Sequence, residues 1–225
     1  VETCRVEVSK RFHCLAVEEA LALAEIGGCV LKERGESLEF VCPSCQVFHR
    51  SALIKSVNGE RIKRHLPTLV RSPKTLDYVT ARLLVNLARV MPGSVVWEPF
   101  VGTGAIAYEV ERVGGHVVGT DVDLGALRIA RLNVRGDLLL SDALRPPFSK
   151  VFDAVVGDPP YGRLTKSTME VRALLNAFIE VAFSHVKRGG YVVLASPIYV
   201  DLPYLRSCVM YLHGGLYRVV YFVKL

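Results

Sequence analysis

From about Leu66 to the C-terminus, short apolar runs alternate with segments of helical period, and this alternation constrains the fold more than any other feature. Val95–Trp97, Val117–Thr120, Leu138–Leu140, Val151–Val156 and Tyr191–Ala195 are near-continuous in Val, Leu and similar residues. A strand with one wet face alternates apolar and polar positions; unbroken runs imply strands covered on both faces, hence a parallel sheet between helices. The helices are expected at Thr75–Val90, Ala105–Val113, Leu124–Asn133 and Ser167–Lys187, with stops at Met91-Pro92-Gly93, Gly114–Gly115 and Gly189–Gly190. The end departs from this pattern: Ser207–His213 and Leu216–Lys224 are strand-like runs joined by Gly214–Gly215, a hairpin signal. The expectation for 66–225 is an α/β domain with a mostly parallel sheet and a C-terminal antiparallel hairpin.

Residues 1–65 differ in texture and are read as a small α+β module. Cys4–Val8 is expected as a strand and Val17–Ile26 as a helix. Cys29–Glu33 and Leu38–Cys42 form a hairpin around Arg34–Ser37, and Arg50–Val57 a short helix ending near Asn58–Gly59. With 51% hydrophobic and 22% charged residues in 225, a sizeable core is expected and disorder is not. No apolar run reaches the roughly 18–20 residues a membrane helix needs. Charges interrupt Val1–Leu15, which therefore does not read as a signal peptide, and the expected location is the cytoplasm. The net charge of +6 suits a polyanionic partner, although many proteins that touch no nucleic acid are as basic.

Six cysteines are many for such a chain. Cys42 and Cys45 form a CxxC with His49 nearby, which admits a zinc site or a redox pair. Zinc normally takes four ligands at recognisable spacings, and Cys14, Cys29 and His13 offer no standard pattern, so no metal is expected. Structural disulfides are open to a heat-adapted chain, and one glutamine (Gln46) and four asparagines fit such an origin.

The chemistry concentrates at expected strand ends. Glu98-Pro99-Phe100-Val101-Gly102-Thr103-Gly104 stands between a strand and a helix, where open α/β sheets bind ligands. Gly102–Ala107 also satisfies a loose dinucleotide fingerprint. A pyrophosphate would be repelled by the Glu98 carboxylate, however, whereas a zwitterionic amino-acid ligand would not. Asp121 follows the next strand at the distance where a carboxylate meets ribose hydroxyls, and Asp142 follows the third, within reach of an adenine edge. Each has a plainer reading as a helix N-cap; their recurrence favours an adenosine site. Asp158-Pro159-Pro160-Tyr161 follows the strand Val151–Val156. Two prolines stiffen the loop and remove donors, leaving carbonyls free to accept. A carboxylate and a carbonyl together can accept both N–H bonds of an exocyclic amine, whose delocalised lone pair otherwise makes it a poor nucleophile. The Tyr161 ring offers a surface for a base taken out of its stack. Asp-Pro is also a common turn dipeptide. No P-loop, GxSxG or HExxH is present, so hydrolase and triphosphatase chemistry has no anchor.

Four stretches taken together resemble a known family. They are Ser72-Pro73-Lys74-Thr75-Leu76 with Ala81–Leu87, then Glu98–Gly104, then Asp158–Arg163 with Thr165, and finally His213, Leu216 and Arg218. The chain resembles class I S-adenosylmethionine-dependent amino-methyltransferases with a DPPY motif, and in particular the archaeal and eukaryotic tRNA guanosine-N2 methyltransferases acting at position 10. Tyr78 stands where the family has proline, and Gly215 where it has serine. The resemblance implies a Rossmann-like sheet of seven strands and S-adenosyl-L-methionine as methyl donor. It implies cofactor binding by Thr75, Glu98, Phe100, Gly102, Thr103, Gly104, Asp121, Val122, Asp142, Ala143 and Asp158, and catalysis by Asp158, Pro159, Pro160 and Tyr161. Arg71, Lys74, Arg163, Thr165 and Lys166 flank that site as candidate RNA contacts, with a solvated basic rim as the plainer reading. The expected partners are RNA, tRNA in particular, and a small zinc-binding activator subunit. Full-length members of that family carry a long N-terminal RNA-binding region that includes a THUMP domain. About 65 residues precede the catalytic region here, too few for both parts, so the expectation is a chain without the THUMP portion. Alternatives are a DNA adenine-N6 or cytosine-N4 methyltransferase, a non-catalytic S-adenosylmethionine- or RNA-binding subunit and, last, an NAD dehydrogenase.

Overall fold

The structure, a computed structural model, describes residues 1–149, 152–160 and 168–225. The N-terminal residues build an antiparallel sheet of order β2-β3-β1-β4-β5, from β1 (Glu2–Val8), β2 (Val30–Arg34), β3 (Leu38–Cys42), β4 (Ile54–Val57) and β5 (Glu60–Arg61). Cys4, Val6 and Val8 alternate inward along β1, as a half-buried strand requires. Helix α1 (His13–Ile26) packs its Leu15, Ala16, Ala20 and Leu23 into the same core.

The helix expected over Arg50–Val57 is not formed. A 3-10 helix covers Cys45–Arg50 instead, capped by the Ser44 side chain accepting from the Gln46 N–H, and it ends where Ser51 turns extended. Ile54–Val57 is strand β4, paired with β1 through Val6–Val57 and Glu7–Ser56. Its β-branched ends bury better on a pleated surface than on one turn of helix.

The remaining chain forms α2 (Tyr78–Leu87), β6 (Val95–Glu98), α3 (Ala105–Arg112), β7 (His116–Asp121), α4 (Leu124–Asn133), β8 (Asp137–Leu140), β9 (Phe152–Gly157), α5 (Thr168–His185), β10 (Val186–Ser196), β11 (Arg206–His213) and β12 (Leu216–Lys224). Among the described residues the sheet has seven strands in the order β11-β12-β10-β9-β6-β7-β8. It is parallel from β10 to β8 and antiparallel through β12 and β11. Successive strand residues enter opposite cores. Val96, Val193 and Val220 face the layer of α2, α3 and α1, whereas Trp97, Val192 and Val219 face α5. This two-sided cover is what the unbroken apolar runs require.

Several boundaries differ from expectation, α1 starting at His13 rather than Val17 among them. Helix α2 starts after Thr75, because Asp77 caps it by accepting from the Thr80 N–H, and it stops before Arg89, whose φ is 53°. Helix α5 ends at His185, and Gly189–Gly190 lie inside β10, where the pairing with β9 shifts register between Val186 and Tyr191.

All six cysteines are paired, and the CxxC is not itself a bridge. Cys42 bonds Cys29, Cys45 bonds Cys4, and Cys14 on α1 bonds Cys208 on β11, tying the N-terminal residues to the larger sheet. A buried polar knot lies on the same seam. Glu19 accepts from the Ala52 and Leu53 N–H groups and the Asn86 amide, while Arg50 donates to Asn86 Oδ1 and the Val90 carbonyl. Among the described residues no helix is long and apolar enough to cross a membrane.

Candidate active site

The order of the large sheet reverses between β6 and β9: the chain proceeds outward from β6 to β7 and β8, then returns to β9 and β10 on the other side. Such a reversal leaves a crevice at the carboxyl ends of the two strands, the place where open α/β sheets bind ligands. Register then decides which side chains stand there. Trp97 pairs with Val155 and Glu98 with Gly119, so Glu98 ends β6 beside the last residues of β9, and Asp121 ends β7 two residues on. Asp121 pairs with Leu140, which puts Asp142 just past the end of β8. Asp158 follows Gly157, the last residue of β9. Four carboxylates thus occupy one edge of four neighbouring strands.

The loop after β6 is held from several sides. Gly104 caps α3 with φ 89°, which a side chain would strain. The Val101 N–H donates to the Thr120 carbonyl and the Gly102 N–H to Asp121 Oδ2 at 2.8 Å. The Thr103 hydroxyl meets the Thr75 hydroxyl at 2.9 Å, and Asn133 of α4 donates to the Thr103 carbonyl. Beneath the loop, Trp97 Nε1 donates to Thr120 Oγ1, which donates to the Pro99 carbonyl. Asn133, Thr120 and Trp97 are supports that sequence reasoning missed. Each sits on an ordinary helix or strand with no local signal, and only the topology brings it to the loop. On the β9 side, a Cβ at Gly157 would lie 3.2 Å from Phe100 Cδ2 and from Pro99 Cγ, so the two loops touch through a glycine. The Phe100 ring packs edge-on against Phe178 of α5, 5.1 Å between centroids.

Glu98 is the electrostatic centre. It is 1% exposed, and among the described residues its Oε2 has no hydrogen-bond partner. Burial raises its pKa well above the usual carboxylate range; the Asp121 and Asp158 charges raise it further, opposed by the Ala107 N–H. A buried carboxylate flanked by two others is a site prepared for a cation or for several donors.

The Asp121 carboxylate already accepts from the Gly102 and Asp123 N–H groups, and with four lone-pair positions it retains capacity for two hydroxyls. The N-cap of α4 is Asp123, not Asp121. Asp142 is exposed and accepts from the Leu144 N–H in a turn, with Ala143 buried beneath it. Val122 is exposed. Arg71 and Lys74 are exposed on the segment leading to Thr75, and Ser72 and Asn133 anchor that segment through bonds to Thr75, Lys74 and Val70. The structure therefore brings together Thr75, Glu98, Gly102, Thr103, Gly104, Asp121, Asp158, Pro159 and Pro160. Tyr161, Arg163, Thr165 and Lys166 lie outside the described residues. A cavity of about 400 Å³, lined by Glu25, Arg89, Lys187, Tyr191 and Lys224, opens at the opposite edge of the sheet. Its charges are largely paired with one another, so it reads as the seam under α1 rather than a reaction site.

The model of the family described as RMKL-like, methyltransferase domain (UPF0020) matches residues 69–205, which contain the whole of this edge. The tRNA (guanine(10)-N2)-dimethyltransferase of Methanocaldococcus jannaschii is 28% identical over 97% of this chain and 67% of its own length. That of Methanothermobacter thermautotrophicus is 34% identical over 58% of this chain and 41% of its own. This chain thus spans about two thirds of the first relative and two fifths of the second. The crystal structure of TrmN from Thermus thermophilus is similar in fold, with a TM-score of 0.60 over 97% of this chain and 80% of that one at 22% identity. That likeness takes in the N-terminal sheet as well.

Proposed function

This chain belongs to the UPF0020 family of RMKL-like methyltransferase domains, and on that footing we propose that it transfers a methyl group from S-adenosyl-L-methionine to N2 of guanine in tRNA. What supports the reading is that the reversal of strand order puts buried Glu98 at the end of β6, beside the end of β9 from which Asp158-Pro159-Pro160 follows. The two archaeal relatives, tRNA (guanine(10)-N2)-dimethyltransferases, point to the base and the nucleic acid.

The residues present fit the donor. A buried carboxylate oxygen with no hydrogen-bond partner among the described residues suits a ligand carrying an ammonium and a sulfonium, and disfavours a pyrophosphate. Glu98, with the backbone of Gly102–Gly104 and the Thr75 and Thr103 hydroxyls, would hold the amino-acid end. Asp121 would take the ribose hydroxyls and Asp142 the adenine edge, with Phe100, Val122 and Ala143 as walls. When bound, S-adenosyl-L-methionine supplies a methyl on sulfur already activated for in-line transfer.

The chain's own part is positioning. The Asp158 carboxylate and the Pro159 carbonyl accept the two N–H bonds of the guanine amine, which localises the nitrogen lone pair toward the methyl. After transfer the surplus proton is shed from a nitrogen hydrogen-bonded to Asp158. Tyr161 would stack the displaced base, and Arg71, Lys74, Arg163, Thr165 and Lys166 would contact phosphates. Most of the acceleration comes from holding two reactants in line. We place the enzyme in the cytoplasm with its tRNA substrate. A small zinc-binding activator is part of the proposal: among the described residues β8 ends the sheet and its Leu140 is exposed, a surface that a pairing partner would cover. Asp158→Ala should abolish methyl transfer to tRNA, while calorimetry shows cofactor affinity within severalfold of wild type; full activity in that variant would remove Asp158 from the chemistry.

A further inference from the structure

The terminal hairpin overshoots the parallel strands. Gly157 is level with Leu194 and Ser196 with Val219, so Leu216–Arg218 and the paired Met210–His213 project beyond the edge where Asp158 stands. On β12, Tyr217, Val219 and Tyr221 share the face that α5 covers, and cross-strand pairing puts Tyr211 and Val209 of β11 on it too. Here the cover runs out. Val219 and Tyr221 are buried, but Tyr217 is 39% exposed, Tyr211 55% and Val209 57%.

A third ring joins them from the chain after β10. The buried Tyr221 hydroxyl accepts from the Val200 N–H at 2.6 Å and donates to the Val200 carbonyl at 2.9 Å. This clamp fixes Tyr199, whose ring lies 6.5 Å from that of Tyr221 and is 55% exposed. Arg172, exposed near the start of α5, lies within electrostatic reach of the Tyr221 phenol, as do the Tyr199 and Tyr217 phenols. Helix α5 runs from the site edge downward, so Arg172 stands at the catalytic end.

Three phenols, one exposed valine (Val209) and a guanidinium finish this sheet face. An aliphatic patch would suit a protein partner; rings with a polar tip stay soluble when uncovered and offer flat faces. We propose that Tyr199, Tyr211 and Tyr217, with Arg172 at their margin, form a platform on which unpaired nucleotides of the RNA substrate stack next to the base entering the Asp158 corner. The proposal rests on the tRNA reading for its substrate and adds a surface that the catalytic residues do not include. Stacking on exposed aromatics tolerates any base and strengthens beside a cation, so the platform contributes affinity for displaced nucleotides rather than sequence choice.

The test uses the full chain with Tyr211→Ala, Tyr217→Ala, the matching Tyr→Phe changes and Arg172→Glu. The probes are a short fluorescein-labelled single-stranded oligoribonucleotide and an unmodified tRNA transcript. Each alanine variant is expected to bind the oligoribonucleotide roughly five- to hundredfold more weakly, whereas phenylalanine retains affinity within about twofold. KM for tRNA rises while cofactor affinity is unchanged. Arg172→Glu, which leaves the sheet intact, should weaken binding and flatten its dependence on salt. Alanine variants that bind the oligoribonucleotide like wild type would overturn the platform. So would a wild-type dimer that Tyr211→Ala dissociates, since the face would then belong to a second copy. Ring-dependent oligoribonucleotide binding in a chain that methylates no tRNA would keep the RNA surface and remove only the tRNA reading.

Discussion

Glu98 concentrates the physics of the site in one side chain. A carboxyl that burial and two neighbouring acids hold above its ordinary range favours the unfolded chain once the solution is basic enough to ionise it there. Its contribution to stability is complete below the unfolded value near 4.5 and is lost as pH rises toward the folded one. Glu98→Gln should therefore raise the melting temperature of the ligand-free protein at neutral pH, by the equivalent of roughly 1–3 kcal/mol, and change little below the ordinary carboxylate range. The same variant should weaken S-adenosyl-L-methionine binding and remove its decline toward acid pH, both measurable by calorimetry. A variant destabilised at neutral pH, or one with unchanged cofactor affinity, would mean that Glu98 is structural. Glu98, Asp121 and Asp158 were legible in the sequence because each follows an apolar run. That Glu98 would be buried, with Oε2 unpartnered among the described residues, was not, because burial depends on α3 and on the register with β9.

At the scale of elements, the apolar runs of the large sheet and the Gly214–Gly215 hairpin could be read directly, since period and turn chemistry are local. The stretch after Cys45 could not. Arg50–Val57 holds too few residues for period to separate helix from strand, and pairing with β1 decided the outcome. The Glu19 knot was equally hidden: its members come from α1, the turn before β4 and α2, as much as 67 positions apart. Its strength is testable. Glu19→Ala leaves two buried N–H groups and the Asn86 amide without their acceptor, an expected loss of roughly 3 kcal/mol in denaturant unfolding. Glu19→Gln, retaining one acceptor oxygen, should lose less; equal stability of all three proteins would show that water replaces the carboxylate.

For the whole molecule, α1 and the 3-10 helix of the N-terminal residues are bonded to the catalytic region at several points. Cys14–Cys208 closes the longest covalent loop, 194 residues in sequence, and constrains the unfolded chain accordingly. Replacing both cysteines with alanine should cost roughly 2–5 kcal/mol under non-reducing conditions, read as a lower melting temperature. At the far edge, Glu25 meets Arg89, Lys224 and the Tyr191 hydroxyl. Burial raises its pKa, but the hydrogen bonds from Tyr191, Lys224 and Arg89 together outweigh that and hold it at about 2. With a lowered folded value, Glu25 stabilises above about 4.5 and loses that contribution as pH falls toward about 2. Glu25→Gln should be less stable at neutral pH by about 1 kcal/mol, the scale of a half-exposed network, and the gap should close in acid. The docked N-terminal sheet supports a catalytic edge whose chemistry one measurement tests most directly. Total unmodified tRNA is incubated with the wild-type chain and isotopically labelled S-adenosyl-L-methionine, digested to nucleosides, and the labelled base is identified by mass spectrometry. Label in N2-methylated guanosine is the predicted result; label confined to another base, or appearing in DNA and not in tRNA, would contradict it.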